Sequence, residues 1–303
     1  MTPAYRGRFA PSPTGLLHQG SLLAAVASWL DARVHGGRWL IRMEDLDTAR
    51  VVPGAADALL ATLTRFGLET DEPVLYQSTR AAAYSAALRR LADQGLAYRC
   101  RCSRTEAPGP YPGTCRDLHI TDEHCAWRLR MDGTPTLAVD DVIQGRITWN
   151  AAALGDPVLF RRDGIASYQL AVVVDDAFQR ITHVVRGADL LGSTAWQIAV
   201  GMALGVALPR YAHIPVLTEP DGTKLAKANR SLPIAGLAVV PTLRHTLQLL
   251  GLPMEQLPFD DSVHDILVAA MQHWRPGRLT GVLDTRLSPQ GAAECAQGTG
   301  SSL

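Results

Sequence analysis

Four groups of residues in this chain of 303 have the types and spacing for chemistry. Lysine occurs only at Lys224 and Lys227, although Lys and Arg together number 29. A genome biased towards Arg codons accounts for the scarcity. It does not account for both lysines standing in one polar, glycine-bearing loop, Asp221-Gly222-Thr223-Lys224-Leu225-Ala226-Lys227. A compact ammonium on a flexible stem is not interchangeable with a guanidinium fork. In a mobile loop it can meet charge that develops on a phosphoryl group. The second group is Pro11-Ser12-Pro13-Thr14-Gly15, followed by His18-Gln19-Gly20-Ser21 at the start of an apolar, helix-like run. A helix start offers free N–H groups and the positive end of the dipole, which favours phosphate. Gly20 lets a nucleotide approach the backbone, and His18 can donate to a phosphoryl oxygen. The plain alternative is a capped loop with one surface histidine.

Arg8, Glu44 and Arg186 form the third group, each placed where a strand gives way to a loop. An arginine fork takes a carboxylate through two parallel hydrogen bonds, and a carboxylate takes an ammonium, so together they suit an acidic amino acid. Taken singly, each fits a surface salt bridge. The fourth group is Cys100, Cys102 and Cys115, with Tyr111 and Cys125 nearby. Structural zinc takes four ligands, mostly Cys and His. Cys125, His119 and His124 are the usual chemical choices for the fourth. Buried thiols are the alternative, but this stretch has little apolar mass to bury them.

The elements that must position these groups follow from periodicity and punctuation. An extended start over 8–12 leads to a rigid Pro-bracketed loop. A helix over 21–34 follows, with Ser21 as N-cap and Gly36-Gly37 as the stop. The stretch 38–43 is a buried strand ending at Glu44-Asp45, and 54–66 and 80–94 are helical. Strand, helix and strand in this order imply a parallel sheet with crossover helices. Ligands of such sheets sit beyond the carboxyl ends of the strands. Strand-like pieces at 127–131 and 146–149 lie in a segment of different composition. The runs 170–174 (closed by Asp175-Asp176), 181–185 and 214–217 read as further apolar strands, and 193–204 as a helix. Helices broken by Pro and Gly follow from about Val240, and 290–303 is small and polar, a frayed tail.

Composition excludes several classes. Apolar residues make up 47% and charged residues 19%, which excludes disorder for most of the chain. The most apolar stretch, 22–30, is far shorter than the ~20 residues of a membrane helix. No leader opens the sequence, so a cytoplasmic protein with no membrane partner is expected. Net charge is zero, whereas a domain that coats nucleic acid usually has a pI above about 9. Any nucleic-acid partner is therefore held by local patches. Clustered cysteines in such a protein imply metal before disulfide.

The blocks Arg8-Phe9-Ala10-Pro11-Ser12-Pro13-Thr14-Gly15, His18-Gln19-Gly20-Ser21, Glu44-Asp45, Tyr168-Gln169-Leu170 through Asp176, His183-Val184-Val185-Arg186-Gly187 and Lys224-Leu225-Ala226-Lys227 occur in this order. Together they closely resemble class I glutamyl-tRNA synthetases over about residues 5–232. The short stretch after Lys227 leaves no room for the large anticodon-gripping domain of those enzymes. With Cys100, Cys102, Tyr111 and Cys115, the length resembles the truncated glutamyl-queuosine tRNA(Asp) synthetase family.

That resemblance implies an α/β fold, a class I Rossmann-like parallel sheet with an inserted zinc-bearing subdomain and a short C-terminal helical region. Its boundaries would be 1–98 and 166–232 for the two catalytic halves, 99–165 for the insertion, 233–289 for the helical region and 290–303 for a flexible tail. It implies a ligase that activates L-glutamate with ATP and transfers it to the queuosine base of tRNA(Asp). Glutamate would be held by Arg8, Phe9, Ala10, Pro11, Ser12, Glu44, Tyr168 and Arg186. His18, Gly20, Ser21 and Lys227 would hold ATP, with His18, Gly20, Lys224 and Lys227 catalytic. One structural Zn²⁺ would sit on Cys100, Cys102, Tyr111 and Cys115, and Mg²⁺ would accompany ATP. A monomer is expected. Ala226 stands where many relatives have Ser, and the lost hydroxyl would weaken one phosphate hydrogen bond while both lysines remain. Three alternatives remain: a short synthetase charging the 3′ end of tRNA(Glu), a nucleotidyltransferase of related fold, and an inactive tRNA-binding adaptor.

Overall fold

The computed structural model describes residues 4–103, 105–106, 109–218, 234–259, 262–279 and 284–286. The lysine loop, with Lys224 and Lys227, and the tail 290–303 lie outside the described residues.

The chain opens with strand β1 (Arg6–Phe9), helix α1 (Gln19–Val34) and strand β2 (Arg38–Met43). Helix α2 (Ala55–Arg65), the short strand β3 (Leu75–Tyr76) and helix α3 (Ala81–Asp93) follow. β2 pairs in parallel with β1 on one side and β3 on the other. Later in the chain, helix α5 (Tyr168–Phe178), strand β9 (His183–Gly187), helix α6 (Leu191–Leu204) and strand β10 (Arg210–Ile214) repeat the pattern, with β9 parallel to β10. β9 runs beside β1, joined by the Thr182 amide to the Arg6 carbonyl at 2.9 Å. The strands thus stand in the order β3-β2-β1-β9-β10. The order reverses between β1 and β9, where open α/β sheets bind their ligands.

Between the two halves lie β4 (Ala97–Cys100), β5 (Ala126–Leu129), β6 (Leu137–Asp141), β7 (Gly145–Trp149), the single-turn α4 (Ala151–Leu154) and β8 (Val158–Phe160). β4, β5 and β8 form an antiparallel sheet, and β6–β7 is a hairpin. The hairpin turn reaches the main sheet, where the Val142 amide donates to the Tyr211 carbonyl at 2.9 Å. After β10 the chain continues through β11 (Val216–Thr218), α7 (Val239–Leu249), α8 (Val263–His273) and β12 (Asp284–Arg286), with β11 and β12 parallel.

α1 is buried on nearly every face, as a helix packed on both sides must be. Leu22, Val26 and Leu30 share a core with Ile41 of the sheet and with Leu243, Leu247 and Ile266 of α7 and α8. Each such side chain contributes about 1.5–3 kcal/mol on burial. Buried Asp31 joins the layers by accepting from Tyr5 Oη at 2.5 Å and Trp274 Nε1 at 2.9 Å. The other side of the sheet carries a second core from α3, α5 and α6.

Three expectations need correction. The run 170–174 is not a strand but the middle of α5. A short apolar run fits a buried helix as well as a strand. Here Ser167 Oγ caps the helix by accepting from the Leu170 amide at 3.4 Å, and burial on almost all sides overrides the weak helix preference of three valines. The N-cap of α1 is His18, not Ser21. The run 214–217 is divided at Pro215 between β10 and β11.

Candidate active site

The carboxyl ends of β1, β2, β9 and β10, with the first residues of α1 and α5, enclose a cleft of about 850 Å³. Every expected glutamate-holding residue lines it: Arg8, Phe9, Ala10, Pro11, Ser12, Glu44, Tyr168 and Arg186. So do His18, Gly20 and Ser21. The expected lysine contribution lies outside the described residues.

At one side of the cleft, His18 closes the first turn of α1. Its Nδ1 accepts from the Ser21 amide at 3.3 Å, and its Nε2 lies 3.0 Å from Ser21 Oγ. Acceptance at Nδ1 puts the proton of a neutral ring on Nε2, so Nε2 donates. The Leu22 amide is taken by the His18 carbonyl at 3.0 Å. The earlier amides of the turn, from Gln19 and Gly20, have no intrahelical acceptor and are available to an anion. A Cβ built at Gly20 would meet nothing closer than the His18 ring at 3.5 Å. The fold therefore does not demand glycine here; its bare backbone serves the cleft.

The other side of the cleft is lined by two buried arginines, Arg8 and Arg186, in different states. Arg8 Nε and Nη2 reach Asp176 at 3.3 and 3.5 Å, and Arg42 Nη1 binds the same carboxylate at 2.6 Å. These guanidiniums hold the Asp176 carboxyl below the ordinary carboxylate range against the opposing effect of burial. Arg186 is 4% exposed. Its contacts are neutral: His213 Nε2 at 3.1 Å, Thr194 Oγ1 at 2.9 Å, and Tyr168 Oη and the Leu190 carbonyl at 3.4 Å. Among the described residues, no carboxylate oxygen lies within 4 Å of it. Glu44, anchored by its amide to the Pro11 carbonyl at 2.9 Å, lies 3.6 Å from Arg42. Burial pushes its carboxyl up, and Arg42, Arg8 and Arg186 oppose that shift. The cleft thus presents a buried cation with no ion-pair partner within 4 Å among the described residues, an acidic group and a helix start. That set fits an acidic amino acid beside a phosphate.

The cysteine cluster lies apart from the cleft. The Sγ atoms of Cys100, Cys102 and Cys115 lie within 4.8 Å of one another. Cys102 Sγ is 3.5 Å from Cys115 Sγ and 3.4 Å from Tyr111 Oη. The Cys115 amide donates to the same phenol at 3.0 Å, so three thiols and a phenol converge. Tyr111 is fixed through Gly155, which has φ +70°, and where a Cβ would stand 2.3 Å from the Tyr111 nitrogen. Arg128 supports the cluster from outside, with Nε 3.3 Å from Cys100 Sγ and its guanidinium 3.9 Å over the Tyr111 ring. Cys125 is buried but stands outside the group of three, as do the exposed His119 and His124.

Asp176, Thr194 and His213, which bind the site arginines, and Asp141, which binds His213, are not among the residues that the sequence singles out for the site. Only the adjacent acids Asp175-Asp176 offered a signal, and they were read as a strand end.

The sheet order, the cleft at the order reversal and the paired helix starts fit a class I synthetase type of catalytic domain. The sequence pattern of the class I (E and Q) tRNA synthetase catalytic domain matches residues 4–107 and 112–239. A glutamate–tRNA synthetase from Elizabethkingia anophelis shares the fold, with a TM-score of 0.81 at 24% identity, covering 97% of this chain and 70% of that one. The glutamyl-Q tRNA(Asp) synthetase of Burkholderia cenocepacia is 51% identical over 293 residues, covering 90% of this chain and 97% of the relative. That of Pseudomonas entomophila is 47% identical over 281 residues, covering 91% and 94%. The chain belongs to the glutamyl-Q tRNA(Asp) synthetase family, within the class I synthetases of the E and Q type.

Proposed function

We propose that this enzyme activates L-glutamate with ATP and transfers it to the queuosine base in the anticodon of tRNA(Asp). The observation that carries the amino-acid assignment is the buried Arg186 guanidinium, which lines the cleft with no carboxylate oxygen within 4 Å among the described residues. A buried charge without its partner is costly, and the side-chain carboxylate of glutamate supplies that partner. Glutamine, an amide, does not. Arg8 stands beside it, and Glu44 takes the α-ammonium. The α-carboxylate then attacks the α-phosphorus of ATP; the bond to the β-phosphate breaks and pyrophosphate leaves. The start of α1, His18 and the backbone at Gly20 receive phosphate oxygens, and Lys224 and Lys227 meet the charge developing on phosphorus. Mg²⁺ accompanies ATP and needs no all-protein cage. In the second step a queuosine ring hydroxyl attacks the acyl carbon, AMP leaves, and the hydroxyl proton passes to the phosphate or solvent.

The cysteine cluster suits one structural Zn²⁺ on Cys100, Cys102, Tyr111 and Cys115. Thiolates are its preferred ligands, and four protein donors leave no open position for chemistry. Without a cation, burial and the surrounding thiols keep the Tyr111 phenol far above its ordinary range. A bound metal reverses that preference.

Arg186→Ala tests the carrying observation. Glutamate-dependent exchange of pyrophosphate into ATP should fall about 10²–10³-fold, the usual loss of a preorganised charge contact, with an unchanged far-UV spectrum. Wild-type exchange in that variant would overturn the assignment.

A further inference from the structure

Arg186 reaches the cleft from the end of β9, and its orientation is fixed from behind by residues that never line the cleft. The Nε–H of a guanidinium can only donate. His213 Nε2, 3.1 Å away, is therefore an unprotonated acceptor. The proton of the neutral ring then lies on Nδ1, which donates to Asp141 Oδ2 at 2.6 Å. Asp141 is held in turn by backbone amides. Its Oδ1 accepts from Ile143 at 3.0 Å, Gln144 at 2.9 Å and His213 at 3.1 Å. The Gln144 side chain closes the ring by donating to the His213 carbonyl at 2.8 Å. Asp141 and His213 are both buried, and the Tyr211 ring stacks on His213 at 5.8 Å.

We infer that Asp141 and His213 are positioning residues for glutamate recognition, through which the β6–β7 hairpin sets the direction of the Arg186 fork. This rests on the reading of Arg186 as the partner of the substrate carboxylate. One edge of the fork, Nε and Nη2, is occupied by His213 and Thr194. Nη1, whose contact with Tyr168 is a long 3.4 Å, is the corner left to a ligand. A ring with the other tautomer would set Nε2–H against Nε–H and turn the fork. A charged ring would do the same. Burial lowers the His213 pKa, and Arg186 and Arg8 act in the same direction against Asp141.

Asp141→Asn isolates the effect. Its Oδ1 still accepts the three amides, but its new N–H faces Nδ1 and favours the wrong tautomer. The KM for glutamate should rise about tenfold to a hundredfold, the worth of one hydrogen bond to a charged group. The KM for ATP should not move, and discrimination against glutamine should weaken. His213→Gln, which retains an acceptor of similar reach, should preserve more glutamate affinity than His213→Leu. ¹⁵N spectra of the wild-type imidazoles should show His213 protonated at Nδ1 alone. A folded Asp141→Asn variant with wild-type glutamate KM overturns the inference. So does a joint rise of both KM values with a lowered melting temperature, which marks a merely structural role. If Asp141→Asn does not fold, the Gln and Leu variants and the spectra decide. A protonated Nε2, or equal affinity in the two variants, overturns it. An undiminished Arg186→Ala enzyme would instead remove the underlying reading, while the spectra would still report the relay.

Discussion

The two ends of the parallel sheet treat charge in opposite ways. At the amino end, Arg6 of β1 and Arg38 of β2 are register partners, a like-charge pair that is unfavourable by itself. Glu72 bridges them at 2.8 and 2.9 Å, and Arg33 next to them holds Asp71 at 2.6 Å. Each of these three cations is closed by an anion of the chain. At the carboxyl end, Arg8 and Arg42 share Asp176, and Arg186 has only neutral partners among the described residues. The difference separates charge that completes the fold from charge that awaits a substrate. The cysteine cluster shows a third condition, in which soft donors converge in a small cluster of their own, packed with Tyr98, Tyr111 and Ile120.

That contrast can be broken experimentally. The largest effect is expected at the cysteines. Cys102→Ala should lose the bound zinc measured by elemental analysis, and limited proteolysis should then cut 99–165 before the rest. Structural zinc contributes about 10–16 kcal/mol of apparent binding energy in small zinc domains. Tyr111→Phe should weaken zinc retention and Cys125→Ser should not; the reverse would assign Cys125 as the fourth ligand. Next comes Asp176→Asn, which removes the carboxylate that Arg8 and Arg42 share and leaves Glu44, 3.6 Å from Arg42, as the one remaining acid within 4 Å of either among the described residues. A loss of about 3–5 kcal/mol in denaturant unfolding is expected, as for other broken buried pairs. A neutral effect would mean that this carboxylate is not what holds Arg8.

The smallest effect belongs to the amino end. Arg6 and Arg38 pull the Glu72 carboxyl down from 4.5 to about 2. Its folded pKa lies below its unfolded one, so its contribution is present above about pH 4.5 and is lost as pH falls towards about 2. Glu72→Gln should cost no more than about 1 kcal/mol at neutral pH, as for other partly exposed ion pairs. It should also flatten the acid limb of the stability curve in that window. An effect as large as that of Asp176→Asn would erase the distinction between the two ends of the sheet.

Much of the substrate side was legible in the chain. Arg8, His18, Gly20, Glu44, Tyr168 and Arg186 stand in short ordered blocks at strand ends and helix starts, and the fold brings all of them to one cleft. Cys100, Cys102 and Cys115 were legible from spacing, and they do converge. What orients these groups was not legible. Asp176 is 168 positions from Arg8, and Asp141 is 72 from His213, so only the crossover topology joins them. The helix carrying Asp175 and Asp176 was hidden because a helix buried on almost all sides loses most of the polar face that marks its period. The amino-end pairing was equally hidden, since Glu72 lies in a loop that reaches two strands from outside.

The central claim concerns where the glutamate goes. Purified enzyme, ATP and radiolabelled glutamate should be incubated with tRNA(Asp) carrying or lacking queuosine, and the tRNA then cut into defined fragments. The account predicts label only on the queuosine-containing tRNA, in its anticodon fragment. Label on the 3′-terminal fragment of tRNA(Glu), with none in the anticodon of tRNA(Asp), would contradict it.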